Sequence, residues 1–91
     1  MIVTINKKKI TLKYSIRALI MFENITQGEY THSTLNDSLT LFYCYILSSV
    51  KDYTISWDEF LDFIDKDISV LQKFNDWLAA NKETQDNLKK N

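Results

Sequence analysis

Apolar and polar positions alternate at the start of the chain. Val3 and Ile5 flank Thr4, and Ile10, Leu12 and Tyr14 flank Thr11 and Lys13. A period of two puts one face of a strand on a core and the other in water. Residues 2–14 are therefore predicted to form a β-hairpin. Asn6 suits the first turn position because asparagine tolerates positive φ, whereas Lys7 is a weaker second choice than glycine.

After Ser15 the period lengthens to that of a helix. With Ser15 as N-cap, a helix over about 16–27 places Ile16, Leu19, Ile20 and Glu23 on one face and Ala18, Phe22 and Ile25 on the neighbouring one. Gly28 stands where a left-handed stop residue belongs. Residues 29–34 read as a polar connector. A second helix over about 35–50 carries Leu35, Leu39, Phe42 and Ile46 at i, i+4, i+7 and i+11. The run Leu41–Leu47 is apolar on nearly every side, which marks this helix as central; its aromatic and β-branched content would also suit a buried strand, and the flanking stripe favours helix.

A short linker over 51–55 leads to Ser56-Trp57-Asp58-Glu59, the pattern of a capping box. Behind it Trp57, Phe60, Leu61 and Ile64 recur at i, i+3, i+4 and i+7, with Asp58, Asp62 and Asp65 pointing away. A fourth helix is predicted from near Asp67, burying Val70, Leu71, Phe74, Trp77 and Leu78. From Asn81 little remains to bury, and 81–91 reads as a frayed tail. The expected fold is α+β and mostly α. It is one domain over 1–91, an N-terminal β-hairpin followed by about four helices in a small compact bundle.

Composition agrees with a dense small core. Of 91 residues, 45% are hydrophobic and 13% aromatic, with one Gly and no Pro. So few chain breakers favour long helices and disfavour a β-sandwich with many tight turns. The net charge of −1 argues against a binder that rests on many phosphate contacts. The charge is nevertheless polarised. Residues 1–17 hold Lys7, Lys8, Lys9, Lys13 and Arg17 with no acid, while 51–67 hold Asp52, Asp58, Glu59, Asp62, Asp65 and Asp67 against Lys51 and Lys66. Two solvated faces explain this simply, and a surface that orients a partner or a second copy is the sharper reading.

One cysteine excludes an internal disulfide. Residues 1–4 lack a basic stretch followed by an apolar one, and the longest apolar run, 41–47, is far short of the ~20 residues that span a bilayer. A cytoplasmic protein without membrane contact is expected.

Each residue able to carry chemistry has a plainer explanation. His32 beside Ser33 lacks the geometry of a nucleophile and its base. Cys44 lies in the most apolar stretch, where a thiol is a packing residue. Asp65, Asp67, Ser69 and Asp76 fall at positions 1, 3, 5 and 12 of a calcium loop, but Val70 replaces the turn glycine and Asp76 the terminal glutamate. Lys7, Lys8 and Lys9 have no aromatic platform beside them for nucleic acid. Trp57 and Trp77 sit in apolar stripes and read as core before interface anchors. No catalytic, cofactor or metal site is expected, no cofactor is implied, and the partner-binding residues are not readable.

Three stretches resemble the small tail assembly chaperones of long-tailed phages and prophages. Ile5–Tyr14 is similar to that family's opening hairpin, with Lys7 where its turn usually has Gly. Ser15-Ile16-Arg17-Ala18-Leu19-Ile20-Met21-Phe22-Glu23-Asn24-Ile25-Thr26 is similar to the helix that follows. Trp57–Asp65 is similar to its late acidic-aromatic helix. The resemblance implies a non-enzymatic protein of the host cytoplasm that escorts the tape measure protein during tail assembly. Tail tube subunits are a further implied partner, and self-association is left open. It also implies a longer frameshifted form, for which Lys89-Lys90-Asn91 would have to be encoded by an A-rich slippery stretch. The rival reading from the residues alone is a small regulatory or nucleic-acid-binding protein of a mobile element, using the basic hairpin.

Overall fold

The computed structural model describes residues 1–27, 34–50 and 54–89, with side chains as far as position 81. Two antiparallel strands, β1 (Ile2–Ile5) and β2 (Lys8–Thr11), are followed by four helices: α1 (Ile16–Thr26), α2 (Leu35–Ser49), α3 (Trp57–Lys66) and α4 (Ser69–Lys89). The α+β, mostly helical architecture expected from the periodicity is present. The Cα radius of gyration is 13.0 Å, near the ~12 Å of a compact chain this long.

The hairpin pairs Val3 with Ile10 and Ile5 with Lys8, and Leu12 N–H extends the ladder to the Met1 carbonyl at 2.8 Å. Val3, Ile5, Ile10 and Leu12 face the core, while Ile2, Thr4, Lys9 and Thr11 face out. Both turn residues have positive φ, 51° at Asn6 and 66° at Lys7. That is the pattern of a two-residue type I′ turn, whose twist matches the strands. Lys7 takes the left-handed conformation despite its Cβ, at a cost of roughly 1 kcal/mol relative to glycine.

α1 starts where expected, with the Ser15 hydroxyl accepting from Ala18 N–H at 3.3 Å. It ends on Gln27, which adopts φ 58° and ψ 35° and donates its N–H to the Glu23 carbonyl. The proposed stop Gly28 and the connector lie outside the described residues, as does most of the linker ahead of Ser56. Of the two apolar faces read from the sequence, the core takes Ala18 and Phe22. Ala18 has the small side chain that lets two helices approach closely. Ile16 and Ile20 are left outside.

α2 is a helix and the centre of the core, as its sequence predicts, and it runs without interruption, a point the sequence left open. Ser38, Thr40, Leu41, Phe42, Cys44, Tyr45 and Ile46 are all buried. Its first residue, Leu35, belongs to the predicted stripe yet is exposed, because the core begins a turn later. The N-cap is Thr34, whose hydroxyl accepts from Asp37 N–H at 3.0 Å. α3 opens on the complete capping box: Glu59 N–H donates to Ser56 Oγ at 3.1 Å and Ser56 N–H to Glu59 Oε1 at 3.2 Å.

α3 and α4 join without Gly or Pro. Asp67 N–H returns to the Ile64 carbonyl, and the Asp67 carboxylate accepts from both the amide and the hydroxyl of Ser69. α4 buries Leu71, Phe74 and Leu78. Helix continues to Lys89, through most of the segment read from the sequence as a frayed tail. Residues 81–89 contain Lys, Glu, Gln and Leu without Gly or Pro, so local propensity favours helix even where little apolar surface remains.

Aromatic rings lock the helices together. Phe42 stacks on Phe74 with centroids 4.4 Å apart and planes 3° from parallel, and meets Phe60 edge-on at 5.4 Å. One side chain of α2 thereby ties α3 and α4 into a single core. Ring pairs of this kind add about 0.5–1.5 kcal/mol each beyond their buried area.

Candidate protein-docking surface

The residues with chemical potential are either structural or outside the described residues. His32 and Ser33 are among the latter. Cys44 is fully buried in α2, and burial pushes its thiol up to about 11, so the nucleophilic thiolate is suppressed at neutral pH. Asp67, a position of the would-be calcium loop, is occupied in capping α4; its two hydrogen bonds from Ser69 hold its carboxyl below the ordinary carboxylate range. Asp76 accepts from Gln72 Nε2 at 2.9 Å. Among the described residues no group of three or more His, Cys, Asp or Glu is placed to hold a metal ion. No helix among them is long and apolar enough to cross a membrane.

Both tryptophans are half-buried and pack on aromatic neighbours. Trp77 meets Tyr45 edge-on at 5.4 Å and lies 6.0 Å from Phe74. The Tyr45 hydroxyl is buried without a hydrogen-bond partner among the described residues, and burial raises its pKa. Trp57 meets Tyr43 edge-on at 5.3 Å and lies 5.5 Å from Phe60. The Tyr43 hydroxyl donates to the Ile55 carbonyl, which fixes the entry to α3 against α2. Burial raises the Tyr43 pKa, so the hydroxyl stays a donor.

The basic hairpin tip is not a free-standing arm. Asn6 Nδ2 donates to Glu59 Oε2 at 2.7 Å, joining the turn to the α3 capping box across 53 positions of sequence. Glu59 thus serves two elements at once. The Ser56 amide, then Asn6, then the Ser56 hydroxyl stabilise its ionised form and lower its pKa. A small polar cleft of about 150 Å³ lies beside this contact, lined by Thr4, Asn6, Glu59, Asp62, Phe63 and Lys66. The hairpin turn and the acidic first turn of α3 are therefore held side by side.

Besides the separately exposed Ile2, Leu35 and Ile68, two apolar features stand out on the surface of the described residues. On α1, Ile16 is 69% exposed, Ile20 50% and Ile25 57%. At about 100° per residue, Ile16 and Ile20 project opposite the buried Ala18–Phe22 face. The second feature is a groove of about 360 Å³ lined by Ile25, Asn36, Thr40, Tyr43 and Trp57. Asn36, Thr40 and Tyr43 lie at i, i+4 and i+7 on α2 and run along it; Ile25 at the end of α1 and Trp57 at the start of α3 complete the lining. Periodicity alone does not reveal this groove, because its residues come from three helices. Of its residues, the sequence singled out Trp57 alone, and read it as core before interface anchor.

Comparison with known proteins returns no matching protein family, no matching curated protein and no matching solved structure.

Proposed function

We propose that this chain is a binding protein of the tail assembly chaperone type, which escorts the tape measure protein in the cytoplasm while a phage or prophage tail is built. The observation that carries this reading is the apolar groove together with the exposed isoleucines of α1. Exposed apolar surface on a small folded chain is what covering an aggregation-prone helical partner requires. The resemblance of Ile5–Tyr14, Ser15–Thr26 and Trp57–Asp65 to that family supplies the identity of the partner.

Two tests apply. A tail tube gene upstream and a very long tape measure gene downstream are expected at the locus. Co-expressed fragments of that tape measure protein should be captured by the full chain and kept soluble by it; failure to capture any fragment overturns the reading. The basic residues Lys7, Lys8, Lys9, Lys13 and Arg17 define the rival, a nucleic-acid-binding regulator. Tight, salt-sensitive retardation of random DNA would favour that rival.

A further inference from the structure

The groove lies in an anionic framework. Together α1, α2 and α3 carry Glu23, Asp37, Asp58, Glu59, Asp62 and Asp65 against Arg17 and Lys66. Glu59, Asp62 and Lys66 line the cleft beside the hairpin, and Glu59 is near enough to act electrostatically on Tyr43 of the groove. Asp37 and Asp58 adjoin the lining residues Asn36 and Trp57 in sequence, each about 100° round its helix from them. The lysines of the hairpin belong to other elements. An apolar slot between helices of net negative charge favours a cation-flanked apolar ligand over an anionic one, nucleic acid included.

The form of the ligand follows from the lining. Among the described residues the lining comes from helices and no strand borders it, so an incoming strand finds no sheet edge to pair with. Side chains must carry the contact. The three α2 positions span seven residues, about 10 Å at 1.5 Å each. That length matches two apolar side chains at i and i+3 or i+4 of a partner helix.

We infer that this groove docks an amphipathic helix whose apolar ridge enters between Ile25 and Trp57 and whose flanks carry lysine or arginine. The inference deepens the escort reading by giving the partner segment its chemistry, and it rests on that reading for the partner's identity.

The test uses the full chain and two labelled helical peptides of about 18 residues, long enough to hold a helix. Both carry the same leucine ridge; one has lysine flanks and the other glutamate flanks. Fluorescence anisotropy at low salt should show the lysine peptide binding at least about tenfold more tightly, with the difference shrinking as salt rises. Ile25→Glu, at an exposed position, separates docking from general attraction. It removes apolar lining while adding negative charge, so docking predicts about tenfold weaker binding of the lysine peptide and plain electrostatics predicts tighter binding. Circular dichroism checks that the variant is folded. Asp58→Lys should reduce the discrimination between the peptides.

Equal binding of both peptides, binding of neither, or unweakened binding to folded Ile25→Glu would overturn the inference. The two readings fail separately. Capture of a tape measure fragment that is unchanged by Ile25→Glu removes the groove and leaves the escort. Docking of the lysine peptide without capture of any fragment does the reverse.

Discussion

α1 and α3 are nearly matched helices with different outer faces. They have eleven and ten residues, each opens on a serine cap, and each sends two side chains fully into the core, Ala18 and Phe22 from one, Phe60 and Ile64 from the other. α3 turns Asp58, Asp62 and Asp65 to solvent, while α1 turns Ile16 and Ile20. The fold asks the same of both on the inside and leaves the outside free. α3 has the outer face of a finished surface helix, whereas α1 bears apolar side chains that contribute little to the core. Surface of that kind is where a function is to be sought.

The comparison breaks first at its inner faces. Phe22→Ala and Phe60→Ala should each destabilise by about 3–5 kcal/mol in urea unfolding, since both rings are fully enclosed. A cost below about 1 kcal/mol for Phe22 would mean that α1 is not anchored as α3 is. The caps come next. Ser56→Ala should cost about 1–2 kcal/mol, since it dissolves a reciprocal capping box. Ser15→Ala should cost about 0.5–1 kcal/mol, since it removes one long hydrogen bond.

A smaller effect separates the helices by pH. Glu59 has a lowered folded pKa, so its contribution is complete above the unfolded glutamate value of about 4.3 and is lost as pH falls through the folded value. Urea midpoints should hold steady from neutrality to about pH 5 and decline below about pH 4. In Glu59→Gln, which can still cap, the decline should be shallower, with Asp67 supplying part of what remains. Smallest of all, Ile16→Gln and Ile20→Gln should change stability by no more than about 0.5 kcal/mol while lowering the binding of a hydrophobic dye. A large loss would show that the outer face of α1 supports the fold after all.

Features that depend on neighbours in sequence were readable before any coordinates. The hairpin turn at Asn6, the Ser15 cap and the Ser56–Glu59 box are local, each a matter of a few residues and a hydrogen bond within reach. Features that depend on distant neighbours were not. α1 carried apolar residues on two adjoining faces, and only the approach of α2 decides that Ala18 and Phe22 go in while Ile16 and Ile20 stay out. The Asn6–Glu59 bond joins positions that no periodicity relates. The groove existed in the sequence only as scattered residues of three helices. Thr34 as a cap was a local signal that a polar connector concealed.

Cys44 offers a use beyond packing. Fully enclosed in α2 and lifted to about 11, its thiol meets a labelling reagent only when the molecule opens. Under conditions where closing outruns labelling, the modification rate reports the free energy of that opening. The chain therefore contains its own clock for unfolding, wound without any engineered probe. A docked partner that protects the central helix would slow it.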